Sequence, residues 1–207
     1  LVGARPDLVL IEALTQARFA PMLESMGLKV MAVKAETVSD VTTYISDLGS
    51  ILESSDTASE KIEDIQTRLM ALESSDSRSV LILISDQDRN LYAARPESYT
   101  GLIATTLGMS NKAEGLPDSG PYPGYALMST EAILMANPDV IVTLTPAPEP
   151  APRLSQTITQ IPPFAALKAI QMNQVVEGDV VLFLRAPGPR IVDAVEFLQE
   201  SLQAHNN

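Results

Sequence analysis

Two short apolar runs, residues 7–11 and 28–33, flank a stretch in which Phe19, Met22, Leu23 and Met26 recur at helical spacing and stop at Gly27. Consecutive apolar residues over so short a length mark strands covered on both faces. Strand, helix and strand in this order predict a βαβ unit with a right-handed crossover. Val41, Tyr44, Ile45, Leu48, Ile51 and Leu52 then share one face of a further helix, for which Ser39 is the expected cap. Residues 56–73 are mostly polar, with a narrow stripe of Ile62, Ile65, Leu69 and Leu72 and a capping-box pair in Thr57 and Glu60. So solvated a helix between two α/β segments reads as a connector.

A second α/β block follows. Strands are expected at 80–84 and 139–144, and two more at 174–177 and 180–184 around the Gly178-Asp179 turn signal. Helices are expected over 98–107, over 129–135 with Ser129 as cap and Asn137-Pro138 as stop, and from Pro189 onward. The last carries Ile191, Val192, Val195, Phe197, Leu198 and Leu202 on one side. Residues 145–152 alternate proline with small or charged residues and read as an extended surface loop. The resulting fold class is α/β, two lobes with mainly parallel sheets joined by one long helix. The partial N-terminal lobe spans 1–54, the linking helix 55–75 and the C-terminal lobe 76–207. The chain opens on Leu1 and runs almost at once into a strand, so it reads as a piece whose upstream sequence is missing.

Composition narrows the chemistry. The 207 residues are 45% hydrophobic and carry 14 basic against 26 acidic side chains, a formal net charge of −12. That balance repels phosphate backbones and argues against nucleic acid as a partner. There is no cysteine, and the single histidine is His205. Thiolate chemistry, a histidine-dependent triad and a histidine cluster for a bare metal ion therefore cannot be built, and no resident cofactor or metal is expected. Phosphate-binding glycine loops and a nucleophile elbow are missing as well. Asp86 with Asp88 is the nearest thing to a carboxylate pair, and its spacing after a strand suits a turn.

The aromatic residues are few, 4% with no tryptophan, yet Tyr92, Tyr99, Tyr122 and Tyr125 fall in loop or loop-edge segments of the second block. Arg89 and Arg95 share that stretch, while Phe183 and Arg185 follow the last expected strand. In open α/β sheets ligands bind at the carboxyl ends of the strands. Flat rings with guanidinium groups there suit a large, flat, partly anionic ligand.

Several segments together resemble the periplasmic binding proteins for iron-siderophores, haem and cobalamin, the helical-backbone class that serves ABC importers. In the first lobe they are Ala4-Arg-Pro-Asp-Leu-Val-Leu10 and Leu23-Glu-Ser-Met-Gly-Leu-Lys-Val30. In the second they are Thr100-Gly with Leu107-Gly-Met-Ser-Asn111, Met128-Ser-Thr-Glu-Ala-Ile-Leu134 with Asn137-Pro-Asp-Val-Ile-Val142, Phe164-Ala-Ala-Leu-Lys-Ala-Ile170, and Gly188-Pro-Arg190. The resemblance covers nearly the whole chain and accounts for the polar connector.

It implies a monomeric, extracytoplasmic, non-enzymatic protein, free or anchored through a segment before Leu1. Such a protein captures an iron-siderophore or related metal chelate and hands it to a membrane permease; haem and cobalamin are the alternatives within the class. The implied ligand-binding residues are Tyr92, Arg89, Tyr125, Phe183 and Arg185. Glu131 matches the second-lobe glutamate that docks on the permease, and it also suits the first turn of a helix. Arg190 reads as a structural residue at a helix start. The first lobe departs from the pattern, because Glu12 adjoins the strand and Arg18 has the opposite charge from the expected docking glutamate. Two rivals stand beside this reading: a small α/β hydrolase or transferase using Ser85, Asp86 or Asp88, and an interaction module that keeps the fold without transport.

Overall fold

The computed structural model describes residues 2–72, 76–119, 122–185 and 188–205. The first strand, β1 (Val9–Glu12), leads through a short 3₁₀ turn into helix α1 (Ala20–Ser25) and then β2 (Val30–Val33). β1 and β2 pair in parallel, from Val9 opposite Val30 to Glu12 opposite Val33. Val9, Ile11 and Leu23 form their small core. Leu10, Phe19, Met22 and Met26 stay exposed, as expected of a two-stranded sheet that has few residues to cover it.

Helices α2 (Val38–Ile51) and α3 (Ser55–Ala71) follow. α2 begins two residues earlier than the sequence pattern suggested. Its cap is Thr37, not Ser39: the Thr37 hydroxyl accepts from the Asp40 N–H and the Asp40 carboxylate accepts from the Thr37 N–H. The expected capping box of Thr57 and Glu60 does not form, because α3 starts at Ser55 and takes both residues into its interior. The helix expected over 56–73 is present to Ala71, and residues 73–75 lie outside the described residues.

The larger sheet contains β3 (Ser79–Ser85), β4 (Leu91–Ala94), β5 (Ser110–Asn111), β6 (Tyr125–Met128), β7 (Val140–Leu144) and β8 (Val175–Glu177). Its order is β6-β4-β3-β7-β8, with β5 paired to the start of β3. β3 runs parallel to β5 and β7, and β7 parallel to β8; β4 runs opposite to the other strands, antiparallel to both β3 and β6. α4 (Tyr99–Thr106), α5 (Thr130–Ala136), α6 (Leu154–Ile158), α7 (Lys168–Gln171) and α8 (Ile191–Ala204) cover it. Ser98 and Ser129 cap α4 and α5 through their side chains.

The two faces of this sheet carry separate cores. Val80, Ile82, Val140 and Val142 pack with α2, α3, α4 and α8 on one face, so Val41, Tyr44 and Ile45 of α2 share a core with the larger sheet. Leu81, Leu83 and Ile141 pack with Ile133, Ile158, Phe164 and Leu167 on the other. The alternation of β3 between these two cores follows from the two-residue period of a strand. α3 is also pinned to α8, where the Arg68 guanidinium donates to Glu196 at 3.0 and 2.5 Å and to Asp193 at 2.8 Å.

The strand expected over 180–184 is instead a π-helical turn, Val181–Arg185. Asp179 decides this locally. Its carboxylate accepts the Leu182 N–H at 2.8 Å and its carbonyl accepts the Phe183 N–H at 2.9 Å, which coils the chain before it can pair with β8.

Candidate ligand-binding site

The site begins with a short hairpin. β3 ends at Ser85, and Asp86 turns the chain back into β4. The Asp86 carboxylate accepts hydrogen bonds from the Asp88 and Asn90 backbone N–H groups, the Asn90 side chain and the Tyr92 phenol. Those bonds, with that from the Asn90 side chain foremost, hold its carboxyl below the usual carboxylate range. Asp86 is thus the turn former that its position suggested. The Ser85 hydroxyl donates to the Asp86 backbone carbonyl at 3.1 Å, so Ser85, Asp86 and Asp88 do not assemble a nucleophile and base.

Register sets the next layer. Ile84 lies opposite Tyr92, and Tyr92 opposite Leu127, so all three project from one face of the sheet, together with Tyr125 two residues from Leu127. Tyr92 and Tyr125 therefore stand on strands β4 and β6, not on the loops where the sequence pattern placed them. Both strands are only four residues long, too short for their alternation to stand out from a loop. The Tyr92 and Tyr122 rings meet edge to face, with centroids 4.8 Å apart at 71°. Tyr92, Tyr122, Tyr125, Ile84, Asp86 and Leu184 enclose most of a cavity of about 320 Å³. Burial, and then the Asp86 carboxylate, push the Tyr92 phenol above its ordinary range; burial does the same to Tyr125.

The N-terminal unit touches this region at Gly124. Gly124 has φ +84°, and a Cβ there would lie 2.7 Å from Cδ2 of Leu14, so the turn after β1 rests on the backbone next to Tyr125. Glu12 shapes that turn: its carboxylate accepts from the Leu14 N–H at 2.9 Å and from the Thr15 N–H and hydroxyl at 2.6 Å.

Pro146, after β7, lines the tyrosine cavity and two adjoining hollows. The first hollow, about 1010 Å³, has Arg89 at its wall; the second, about 550 Å³, has Arg153, Glu177 and Arg185. Of the residues singled out from sequence, Tyr92 and Tyr125 thus share a cavity, and Arg89 and Arg185 line the hollows beside it. Phe183 does not join them. It is fully buried in the core against α8, with its ring 6.1 Å from that of Phe197. The π-helical turn rotates it inward and leaves Leu184 on the cavity wall. Tyr122 was one of the aromatics noted at the ligand edge but not one of the implied ligand-binding residues, and Leu184 carried no role, because the contribution of both depends on this packing.

Glu131 is exposed in the first turn of α5, and no ion pair reaches it among the described residues. Its own backbone N–H, then the Ser129 hydroxyl, lower its pKa. Arg190 precedes α8 and donates to Asp193 at 3.1 Å, the structural role its position suggested. Among the described residues no three His, Cys, Asp or Glu side chains cluster to hold a metal, and no helix is long and apolar enough to cross a membrane.

A two-stranded parallel α/β unit and a larger, mostly parallel sheet with hollows at its carboxyl edge, with a long helix braced along one side, define a class III periplasmic binding protein fold. The profile of the periplasmic binding protein family matches residues 1–181, and the chain belongs to that family. It is 24% identical to the ABC transporter substrate-binding lipoprotein YvrC of Bacillus subtilis (strain 168), over 98% of this chain and 63% of that protein. The chain therefore spans about two thirds, slightly less, of that curated relative. Among solved structures it resembles an ABC-type Fe3+-hydroxamate transport system protein from Saccharomonospora viridis (TM-score 0.74, 23% identity, 97% of this chain and 70% of that one). It also resembles the periplasmic haem-binding protein HutB of Vibrio cholerae (TM-score 0.75, 19% identity, 96% and 77%).

Proposed function

We propose that this chain belongs to the extracytoplasmic ligand-binding component of an ABC importer, and that it captures an iron-siderophore or related iron chelate and delivers it to the membrane permease. The observation that carries the reading is the set of three adjoining hollows that share Pro146, one lined by tyrosines and the others by Arg89 and by Arg153 and Arg185. A pocket of this kind, mostly apolar with a few charged groups, holds a bulky ligand in a largely preformed site. In the same reading Glu131, held rigidly at the start of α5, is the carboxylate that meets arginines of the permease, and the protein acts as a monomer.

The test is direct. The purified chain is titrated with ferric hydroxamate siderophores, haemin and cobalamin, and binding is followed by ligand absorbance and calorimetry. Saturable one-to-one binding of a ferric siderophore, weakened by Arg89→Ala or Arg185→Ala, supports the proposal. Tight binding of haemin or cobalamin alone would replace the ligand, and binding of none would leave an interaction module with this fold.

A further inference from the structure

The tyrosine cavity differs in character from the hollows beside it. Three phenol rings face or border it, and among the described residues its one charged lining side chain is Asp86. No ion pair reaches Asp86 among the described residues, so its charge is satisfied only by N–H and O–H donors on one hairpin. Tyr92 donates to it at 3.2 Å, which keeps that phenol protonated, and its ring meets that of Tyr122 edge to face. Tyr125 is tied back to Thr100 at 2.7 Å, so its ring too is held in place. A fixed carboxylate among several aromatic rings attracts a positive charge, because an aromatic ring carries the negative side of its quadrupole on its face. The same arrangement opposes a ferric–phenolate bond at Tyr92, since losing that proton would place a second anion beside Asp86. Arg153 and Arg185 stand on the hollow beyond Pro146, while Arg89 lines the hollow that shares Asp86 and Tyr122 with this cavity.

We propose that the cavity between Tyr92, Tyr122, Tyr125 and Asp86 takes a cationic group, a protonated amine, guanidinium or quaternary ammonium, and so selects ligands that carry one. Resting on the chelate reading above, the inference narrows it: the ligand's positive arm enters the tyrosine cavity while its oxygen-rich body faces the arginines.

Two matched pairs of probes separate the ideas. Ferrioxamine B carries a pendant ammonium; its N-acetyl derivative has the same ferric centre and a neutral arm. Benzyltrimethylammonium and neutral benzyl alcohol test the cavity without any iron. By calorimetry with the full chain, ferrioxamine B should bind about tenfold tighter than its N-acetyl derivative, the scale of a partly desolvated cation over aromatic faces. Benzyltrimethylammonium should bind measurably and benzyl alcohol should not. Both preferences should fade in Tyr122→Leu and in Asp86→Asn and persist in Tyr122→Phe. Tyr122→Leu is the safer variant, because that side chain is exposed whereas Asp86 also holds its turn together. If both ferric probes bind equally, the cationic site is overturned and the chelate reading stands. If benzyltrimethylammonium binds with the stated variant effects but no ferric probe does, the chelate reading falls and the cationic site stands. Binding of no probe overturns both.

Discussion

The phenol of Tyr125 and the hydroxyl of Thr100 lie 2.7 Å apart, and the direction of that bond is fixed by a second one. Thr100 uses its only hydroxyl proton to donate to the carbonyl of Phe183 at 2.8 Å, so Tyr125 must be the donor to Thr100. The cavity wall on β6, the start of α4 and the π-helical turn are joined through one buried oxygen.

Thr100→Val tests this joint. The substitution preserves shape but leaves a buried carbonyl and a phenol without their partner. It should destabilise the protein by roughly 1–3 kcal/mol in urea denaturation. Tyr125→Phe removes only the outer member of the chain and should cost less, about 1 kcal/mol.

The neighbouring glycine is a packing requirement. A Cβ on Gly101 would fall 2.0 Å from the carbonyl oxygen of Arg95 and 2.7 Å from its carbonyl carbon, and both are backbone atoms that cannot swing away. Gly101→Ala should therefore cost about 1–3 kcal/mol or more through forced backbone shifts. The measurement is the denaturation midpoint, and a variant as stable as the parent would show that α4 can slide away from residues 95–96.

Acid should act through Asp139. Its carboxylate accepts from Lys168 and from the hydroxyl and N–H of Ser79, with Lys168 the largest influence, and its pKa is held far below the usual carboxylate value. A depressed folded pKa gives stability that is present above the unfolded value, near 3.8, and is lost as the pH falls through the folded one. Between roughly pH 5 and pH 2 the parent should lose stability more steeply than Asp139→Asn. Parallel acid-denaturation curves for the two would remove Asp139 as the cause.

Glu131→Ala should leave melting temperature and ligand affinity almost unchanged, because the side chain is exposed and its hydrogen bonds are local to the helix start. Permease-stimulated ATP hydrolysis in reconstituted vesicles should fall. Loss of ligand binding with intact coupling would move Glu131 from a docking role into the pocket.

What was legible in the sequence was what short-range physics decides. The apolar run of β3 and β7 demands cover on both faces, Ser98 and Ser129 can only serve as caps where a helix starts beside them, and the polar residues 55–71 with one narrow stripe form a helix that touches a core on one side. Their order, together with the motifs they carry, was enough for the α/β class and the family. The site was only partly readable. Tyr92 and Tyr125 stood out as aromatics in a chain with few, but their shared face depends on β4 and β6, whose four-residue lengths gain stability from pairing, β4 with β3 and β6 with β4, and not from their own pattern. Phe183 was read as facing the ligand from a strand-like run of apolar residues. The Asp179 carboxylate coils that run, and burial of an aromatic ring against α8 outweighs the weak local preference for extension. Spacing along the chain determines which elements form; which side chains meet in the cavity is decided by register and packing between residues up to about a hundred positions apart, and no local pattern encodes those contacts.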